Sequence, residues 1–439
     1  MIKKFLSIAL VMNFNLALAD EVHGLITKQQ FNEIFPLSNG EKLKKQYTDA
    51  YNTFIQEKNK TAAAETSCAH LLPKANPPVY WTPEYQKCMD KAAPEYEHAL
   101  RNLNELRGNF QNCPSVITTD SHGKKIDFSG EAPKPDSIQS VKTLYTYENF
   151  AKTTPYFRGF LAGDRTNAKR ELAAFLANVQ QETTGLCFAS ETPFDILEKL
   201  STKEEFKSIK NQQLCSWFTS AEDIKNLSAL GITLPYACTD TNISVTTRNK
   251  LIDYAFEIKR PKGKYCQWQA KPDKEQECLK SNRYYYGRGP IQLSYPYNYI
   301  AFGETDFVHR HGYNLYTDPG LVTSQEANQE SRSSLLWGSA LWFWMTPQPP
   351  KPSAHAVMTN QWQPNAADIK NNRKPGFGSV INIINGGLEC GAQRGADKDV
   401  KAQNRINAYK RILKIIGAPA DDNAIYPLDC KNSNNFTVQ

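Results

Sequence analysis

The sequence predicts a mainly α-helical fold, and two observations carry this prediction. Helical patterns outnumber strand patterns along the chain. The clearest helix covers residues 170–182, where apolar side chains recur at positions i, i+3, i+4 and i+7. Gly185 follows at a point where a glycine commonly ends a helix.

The other helices are predicted from the same periodicity and from residues that start or stop helices. A short helix follows Thr27, which is the expected N-cap, and two long helical patterns cover residues 43–58 and 83–110. Residues 340–345 are apolar on all sides, which is typical of a buried helix. Residues 406–416 predict an amphipathic helix near the end of the chain.

Residues 1–19 have the layout of a secretory signal peptide. Two lysines precede an apolar stretch from Phe5 to Leu18, and a small-x-small triplet ends at Ala19. We expect cleavage after Ala19 and a secreted or periplasmic protein. No later apolar stretch approaches the length of a transmembrane helix, so no membrane insertion is expected.

Composition excludes several classes of function. The chain of 439 residues has a formal net charge of +7, but its basic residues are scattered among acidic ones, so no nucleic-acid partner is implied. Ten cysteines in an exported chain indicate a disulfide framework. Because the sequence has no CxxC pair and no cluster of histidine and cysteine, we expect no metal site and no cofactor.

Glu182 is the first candidate for chemistry. It lies seven positions after Phe175 and three after Val179, so it continues the apolar stripe of its helix. A carboxyl group that faces the body of a protein is partly desolvated, which favours the protonated form that a general acid needs. Periodicity alone leaves a second interpretation open, in which Glu182 is a structural residue paired with a buried arginine.

Five blocks of sequence resemble the catalytic domain of family 19 chitinases and follow one another in that family's order. Together they cover most of residues 144–430. The first block combines three short runs, and the last of these is Gln-Glu-Thr-Thr-Gly. The second block contains Tyr-Gly-Arg-Gly-Pro-Ile-Gln-Leu-Ser. In full, the blocks are residues 144–150 with 169–177 and 181–185, residues 285–299, residues 343–355, residues 376–390 and residues 405–411.

This resemblance implies a mainly α, bilobed, lysozyme-like glycoside hydrolase domain. The implied activity is endo-acting hydrolysis of β-1,4-linked N-acetylglucosamine polymers such as chitin, with inversion by two carboxylates. The resemblance makes Glu182 the acid, and the base is expected upstream of the Tyr265-Cys266 pair, where Glu257 lies. A plant-like alignment would instead place Lys259 at the base position.

The resemblance also implies a sugar-binding cleft built from amide, hydroxyl and guanidinium groups, which match acetamido and hydroxyl groups of the substrate. Ser294 is the expected partner of Glu257 in holding the nucleophilic water, and Arg405 is placed to hold a nearby carboxylate ionised. Ordinary polar pairing inside the protein is the alternative for each residue. The implied contacts are Gln292, Ser294, Tyr297, Asn298, Asn385 and Arg405.

The domain organisation follows from the same blocks. Residues 20–39 resemble the first helix of the catalytic domain, and residues 142–439 contain the rest of it. Residues 40–141 are rich in Lys, Glu, Gln, Asn and Ala, so they predict a helical insertion, whose role the sequence does not reveal. The segment 187–251 is much longer than its family counterpart, which indicates a remodelled wall of the cleft.

Cysteine counting adds one prediction. The resemblance implies that Cys266 pairs with Cys278 and Cys390 with Cys430. Three cysteines lie in residues 40–141 and seven lie elsewhere, and because both counts are odd, local pairing cannot use them all. If no thiol is free, a disulfide joins Cys68, Cys88 or Cys113 to one of Cys187, Cys215 and Cys238.

Two other functions fit parts of the sequence. A peptidoglycan-cleaving glycosidase would act on a polymer that shares the N-acetylglucosamine unit and the β-1,4 linkage. A non-catalytic glycan-binding secreted protein would keep the fold without needing Glu182, and the presence of that residue favours an enzyme.

Overall fold

The computed structural model describes most of the chain after the predicted signal peptide. The signal peptide and its cleavage site lie outside the described residues, as do most of residues 192–220 and 256–282. The described residues are 21–71, 82–92, 95–191, 204, 207, 209, 214–215, 218, 221–233, 244–255, 265–266, 277–278, 283–329 and 332–436.

The internal contacts of the chain divide it into two compact units. The main unit comprises Met1–Thr27, Glu148–Thr184 and Phe188–Gln439, and the second unit comprises Lys28–Tyr147 and Gly185–Cys187. The predicted domain boundaries stay a prediction.

The expected mainly α fold is confirmed. The four described strands form only two small antiparallel sheets, in which Val22 lies opposite Ile26 and Val116 opposite Thr143. The strands are β1 Glu21–Val22, β2 Ile26–Thr27, β3 Val116–Thr119 and β4 Ser140–Thr143. The α-helices formed by the described residues are α1 Lys28–Ile34, α2 Gly40–Cys68, α3 Pro83–Ala92, α4 Tyr96–Asn112, α5 Tyr147–Thr153, α6 Arg165–Thr183, α7 Ala221–Ala229, α8 Val245–Tyr254, α9 Pro296–Gly303, α10 Asp306–His309, α11 Leu335–Met345, α12 Ala354–Met358, α13 Ala366–Lys370, α14 Phe377–Glu389 and α15 Ala396–Ile415.

Helix boundaries differ from the sequence pattern at one place in particular. The pattern predicted one helix over residues 83–110, whereas the structure has the separate helices α3 and α4. Pro94 stands between them in the sequence, and a proline cannot donate the backbone hydrogen bond that would continue a helix. None of the helices in the described part of the chain is long and apolar enough to cross a membrane.

An aromatic cluster forms the core of the second unit. The ring of Tyr47 on α2 is fully buried against Phe110 and Phe128, with ring centroids 5.4 Å and 5.7 Å away. Its hydroxyl group donates a 2.8 Å hydrogen bond to the carbonyl of Pro133. Burial raises the pKa of Tyr47 to about 12, so this donor keeps its proton at any physiological pH.

Four disulfides lie wholly within the described residues, and three of them confirm predictions. Cys266 bonds Cys278 and Cys390 bonds Cys430, as the resemblance implied. Cys113 bonds Cys187, which is a pair of the kind that cysteine counting required. The fourth bond, Cys68–Cys88, connects α2 to α3. Among the described residues no cysteine is free; Cys215 is also disulfide-bonded, and Cys238 lies outside the described residues.

The core of the main unit surrounds α6 and α11. The Phe175 ring of α6 packs against Trp337 and Trp344 of α11, with centroids 6.3 Å and 5.4 Å apart. All three rings are fully buried, which confirms the buried helix predicted from residues 340–345. Each such ring contributes a large apolar area, so this cluster is a major source of folding free energy.

Buried charged side chains also join α6 to α15. Arg170 of α6 donates a 2.5 Å hydrogen bond to Asp421, whose other carboxylate oxygen accepts one from Tyr409 of α15. Lys169 donates to the carbonyls of Ile416 and Gly417, just after the end of α15. A Lys side chain near the C-terminus of a helix satisfies carbonyl groups that have no partner within the helix.

Gly338 allows α10 and α11 to approach closely, which leads to a stability prediction. A Cβ atom at Gly338 would lie 2.2 Å from Cε1 of the buried Phe307 ring. We expect Gly338→Ala to destabilise the protein by about 1–3 kcal/mol, because overpacking outweighs the better helix propensity of alanine. Gly108→Ala in α4 is the matched control, since its nearest neighbour would be 3.8 Å away, and it should stabilise by about 0.5–1 kcal/mol.

Urea denaturation of both variants with the disulfides intact tests this prediction. A Gly338→Ala variant as stable as the Gly108→Ala control would contradict the close packing.

Candidate active site

Helix α6 positions Glu182 on its last turn. The N-cap of the helix is Asp164, whose carboxylate accepts hydrogen bonds from the backbone N–H groups of Thr166 and Asn167, both at 3.0 Å. These bonds hold the pKa of Asp164 below its usual value. The C-cap is Thr184, which has a left-handed backbone (φ 51°). Glu182 keeps 17% of its side chain exposed, so its carboxylate reaches the boundary between the core and solvent.

The guanidinium of Arg405, on α15, is the centre of a buried polar cluster. Its side chain is 1% exposed and donates to Glu182, to Glu389 and to Asn178. The bonds from Nε and Nη2 to the two carboxylate oxygens of Glu389 measure 2.8 Å and 2.9 Å, and the bond from Nη1 to Oδ1 of Asn178 measures 2.9 Å. We call Asn178, Glu182, Asn385, Glu389 and Arg405 the guanidinium cluster.

A kink in α14 brings Asn385 into this cluster. Asn385 has a non-helical backbone (φ −142°, ψ 33°) inside the helix, and its side-chain amide donates a 2.7 Å hydrogen bond to Oε1 of Glu389. Glu389 is fully buried, yet Asn385 and Arg405 together satisfy both of its oxygens. Glu389 is not among the predicted site residues, although its spacing of four residues from Asn385 puts both on one helix face.

Charge in the cluster is unequal, because two carboxylates surround one cation. Burial alone would lower the pKa of Arg405, but the attraction of Glu182 and the hydrogen bonds to Glu389 outweigh it and raise the pKa of Arg405. The guanidinium is therefore always charged. The paired hydrogen bonds to Glu389 give it a buried counter-charge in addition to its contact with Glu182.

A second group of predicted site residues lies in one hydrogen-bonded turn before and within α9. The Gln292 amide donates to the carbonyl of Gly289 at 3.1 Å, and the Ser294 hydroxyl donates to the carbonyl of Gln292 at 2.8 Å. Asn298, which is buried, donates to the carbonyl of Ser294 at 2.8 Å. We call Gln292, Ser294, Tyr297 and Asn298 the turn cluster.

Tyr297 offers an exposed ring beside this turn. The ring is 37% exposed and stacks on Tyr295, with centroids 5.6 Å apart and planes 8° from parallel. Partial burial raises the pKa of Tyr297, and Tyr295 adds to the effect, so its hydroxyl group stays protonated. An exposed, fixed aromatic ring is a suitable surface for the apolar face of a sugar.

Gly287 makes the turn cluster possible. A Cβ atom there would lie 2.6 Å from Oε1 of Gln292, so any larger residue would push the Gln292 side chain away. Gln292 itself has a left-handed backbone (φ 52°), which costs energy for a residue with a side chain. A residue keeps such a strained backbone only where the surrounding structure fixes its conformation.

Glu191 joins the segment after α6 to the segment that carries the turn cluster. The backbone N–H of Glu191 donates to the carbonyl of Gly287 at 2.8 Å, and the N–H of Gly289 donates to the carbonyl of Ala189 at 2.7 Å. The half-buried Glu191 carboxylate also accepts hydrogen bonds from the Tyr265 hydroxyl and from the N–H of Gly287, the latter at 3.4 Å. Burial raises the pKa of Tyr265, and the Glu191 charge raises it further.

Glu191 is not among the predicted site residues. Its position in the sequence could have indicated it, because it lies nine residues after Glu182, in the first segment that follows α6. Glu257, the predicted base, lies outside the described residues, so its role stays a prediction. Among the residues that the structure describes, no group of His, Cys, Asp and Glu side chains is arranged to hold a metal ion.

Comparison with known proteins places most of the chain in one family. The family model described as "Chitinase class I" matches residues 132–223 and 237–430. Endochitinase 3 of Solanum tuberosum is 35% identical over 304 residues, which is 69% of this chain and 70% of that protein. Endochitinase B of Nicotiana tabacum is 35% identical over 308 residues, and Chitinase 12 of Oryza sativa subsp. japonica is 34% identical over 308, each covering 69% of both chains.

The guanidinium cluster generates a stability prediction. We expect Arg405→Met to destabilise the protein by about 3–5 kcal/mol at neutral pH, because it leaves the buried Glu389 carboxylate without a counter-charge. The double variant Glu389→Gln/Arg405→Met should be more stable than the single one, because it removes the unpaired charge together with its partner. Urea denaturation at neutral pH measures both variants, and a double variant no more stable than Arg405→Met would contradict the charge argument.

Proposed function

Since this chain belongs to the class I chitinases of glycoside hydrolase family 19, and is therefore a glycoside hydrolase with the mainly α, lysozyme-like fold of that family, we propose that it cleaves chitin internally and with inversion. Family membership supports chitinase activity. To this the proposal adds inversion, roles for individual residues and export. The predicted signal peptide and the disulfides support a secreted or periplasmic location.

The observation that carries the residue assignment is the difference in exposure between the two carboxylates on Arg405. The Glu389 side chain is 1% exposed, whereas Glu182 is 17% exposed. Only Glu182 can reach a substrate oxygen, so it is the acid. Glu389 acts as the fixed anion that balances Arg405. Two carboxyl groups in unlike environments can thus take different roles.

In the reaction, Glu182 donates its proton to the glycosidic oxygen as the bond to the anomeric carbon breaks. The leaving sugar departs with that proton, and Glu182 becomes a carboxylate next to Arg405, whose charge stabilises it. A water molecule attacks the anomeric carbon from the opposite face and loses a proton to the base. The product has the inverted configuration.

Two residues are candidates for the base. Glu257 is the choice that the family resemblance implies. Glu191 is the second candidate, because its carboxylate lies beside Gly287, in the segment that leads to Gln292 and Ser294. Ser294 would hold the nucleophilic water with either residue. The other members of the turn cluster, with Asn385, would bind acetamido and hydroxyl groups of the sugar chain.

The function is tested by Glu182→Gln, which keeps the shape and the hydrogen bond to Arg405 but removes the acid. We expect turnover of chitohexaose to fall by about 10²-fold or more, with an unchanged urea midpoint as the folding control. The wild-type protein should release products from chitohexaose with inverted anomers by NMR. Near wild-type turnover in the variant would refute the acid role. Faster cleavage of murein sacculi than of chitin by the wild-type protein would favour the peptidoglycan alternative.

A chemical rescue experiment decides between the two bases. We expect Glu257→Ala to lose about 10²-fold or more in turnover and to regain activity in azide, since the small anion attacks without needing a base. The rescued product should be the inverted glycosyl azide. Glu191→Ala serves as the matched control and should show no azide rescue. If Glu191→Ala is rescued and Glu257→Ala is not, Glu191 is the base and the assignment of Glu257 is wrong.

A further inference from the structure

A cavity of about 560 Å³ lies in the main unit, and its lining shares no residue with either cluster of the candidate active site. It is formed by residues 155–158, at the end of the turn after α5, and by residues 306–310, in and after α10. None of the residues that line it has a role in the proposed reaction. They are Pro155, Tyr156, Arg158, Asp306, Phe307 and Arg310.

The first notable feature of this cavity is an exposed but anchored aromatic ring. Tyr156 is 47% exposed, although it is a large ring that would normally be better covered. Its ring packs edge-on against the buried ring of Phe307, with centroids 5.4 Å apart and planes 67° apart. Phe157 packs against the same Phe307 ring at 5.3 Å. Tyr156 is therefore held in place with part of its surface open to a ligand.

The second feature is an excess of positive charge. Arg158 and Arg310 are both exposed, and within the described part of the chain neither forms an ion pair. The guanidinium of Arg310 lies over the Tyr156 ring, 5.9 Å from its centroid. Asp306 is the single carboxylate of the lining and also has no ion pair among the described residues. Two guanidinium groups and one carboxylate give the cavity a net positive charge.

We propose that this cavity is a second saccharide site, which binds a sugar that carries a carboxylate. An aromatic ring suits the apolar face of a pyranose, and guanidinium groups bind carboxylates through paired hydrogen bonds. The volume is within the range of small-ligand sites and holds one or two sugar rings. The chemical class is that of N-acetylmuramic acid, an N-acetylglucosamine with an added lactyl carboxylate.

Each part of the ligand is required by a different part of the cavity. A neutral sugar would stack on Tyr156 but leave Arg158 and Arg310 without an anion. Inorganic phosphate would satisfy the arginines but leave the aromatic ring unused. The acidic sugar uses both, so the proposal differs from a simple anion site and from a neutral chitin site.

Binding of monosaccharides tests the proposal without reference to catalysis, because a monosaccharide has no glycosidic bond to cleave. Titration calorimetry or NMR of the full chain should show that N-acetylmuramic acid binds at least about tenfold more tightly than N-acetylglucosamine, as expected for one charge-assisted interaction. Arg158→Ala and Arg310→Ala should each remove most of this difference. Tyr156→Ala should weaken the binding of both sugars.

Arg101→Ala is the matched control, because it removes an exposed arginine of α4 that is distant in sequence from the cavity and does not line it. It should leave both affinities unchanged, and all four variants should cleave chitohexaose at the wild-type rate. Equal affinity for the two sugars would overturn the proposal. So would binding of inorganic phosphate as tight as that of N-acetylmuramic acid, together with no effect of Tyr156→Ala, since the cavity would then be an anion site only.

Discussion

The buried charge of Arg405 is the constraint on which the rest of the main unit depends. A guanidinium that is 1% exposed loses nearly all its hydration, and only well-placed acceptors offset that cost. Glu182 and Asn178 supply acceptors from α6, and Glu389 supplies two more from the end of α14. Three helices must therefore keep one relative arrangement, because a shift of any of them would leave a buried charge unsatisfied. The same arrangement fixes the carboxyl group that we propose as the acid.

Helix α6 is held at its other end by a second buried carboxylate. Glu171 is fully buried and accepts hydrogen bonds from the backbone N–H of Leu161 and the indole N–H of Trp344, both at 2.9 Å. His355 approaches its Oε1 atom at 2.7 Å. Each acidic group of this helix that faces the core thus has named partners, as buried polar groups require. The helix is a rigid support for Glu182, which a loop would not provide.

The sequence predicted those parts of the fold and the site that leave a local pattern or a residue count in the chain. Periodicity predicted α6 and the buried helix α11, because one-sided or all-round burial leaves a repeating apolar pattern. Parity of the cysteines predicted a bond of the type Cys113–Cys187 without any geometry. Neither kind of information predicts the contact of Glu389 with Arg405 or the contact of Glu191 with Tyr265. Those contacts join residues far apart in the chain, and no local pattern encodes them.

The shape of the Arg405 side chain explains why the cluster needs an arginine and not just a cation. Its Nε and Nη2 atoms bind both oxygens of Glu389 side by side, its Nη1 atom binds Asn178, and Nη2 also reaches Glu182. A planar fork with fixed donor directions can serve three acceptors at once, whereas a lysine offers a single point of charge on a flexible stem. A lysine at this position would keep the charge but lose the paired bonds to Glu389. The ammonium group of such a lysine would not hold Glu182 in one direction. The position of the acid therefore depends on the geometry of the guanidinium as much as on its charge.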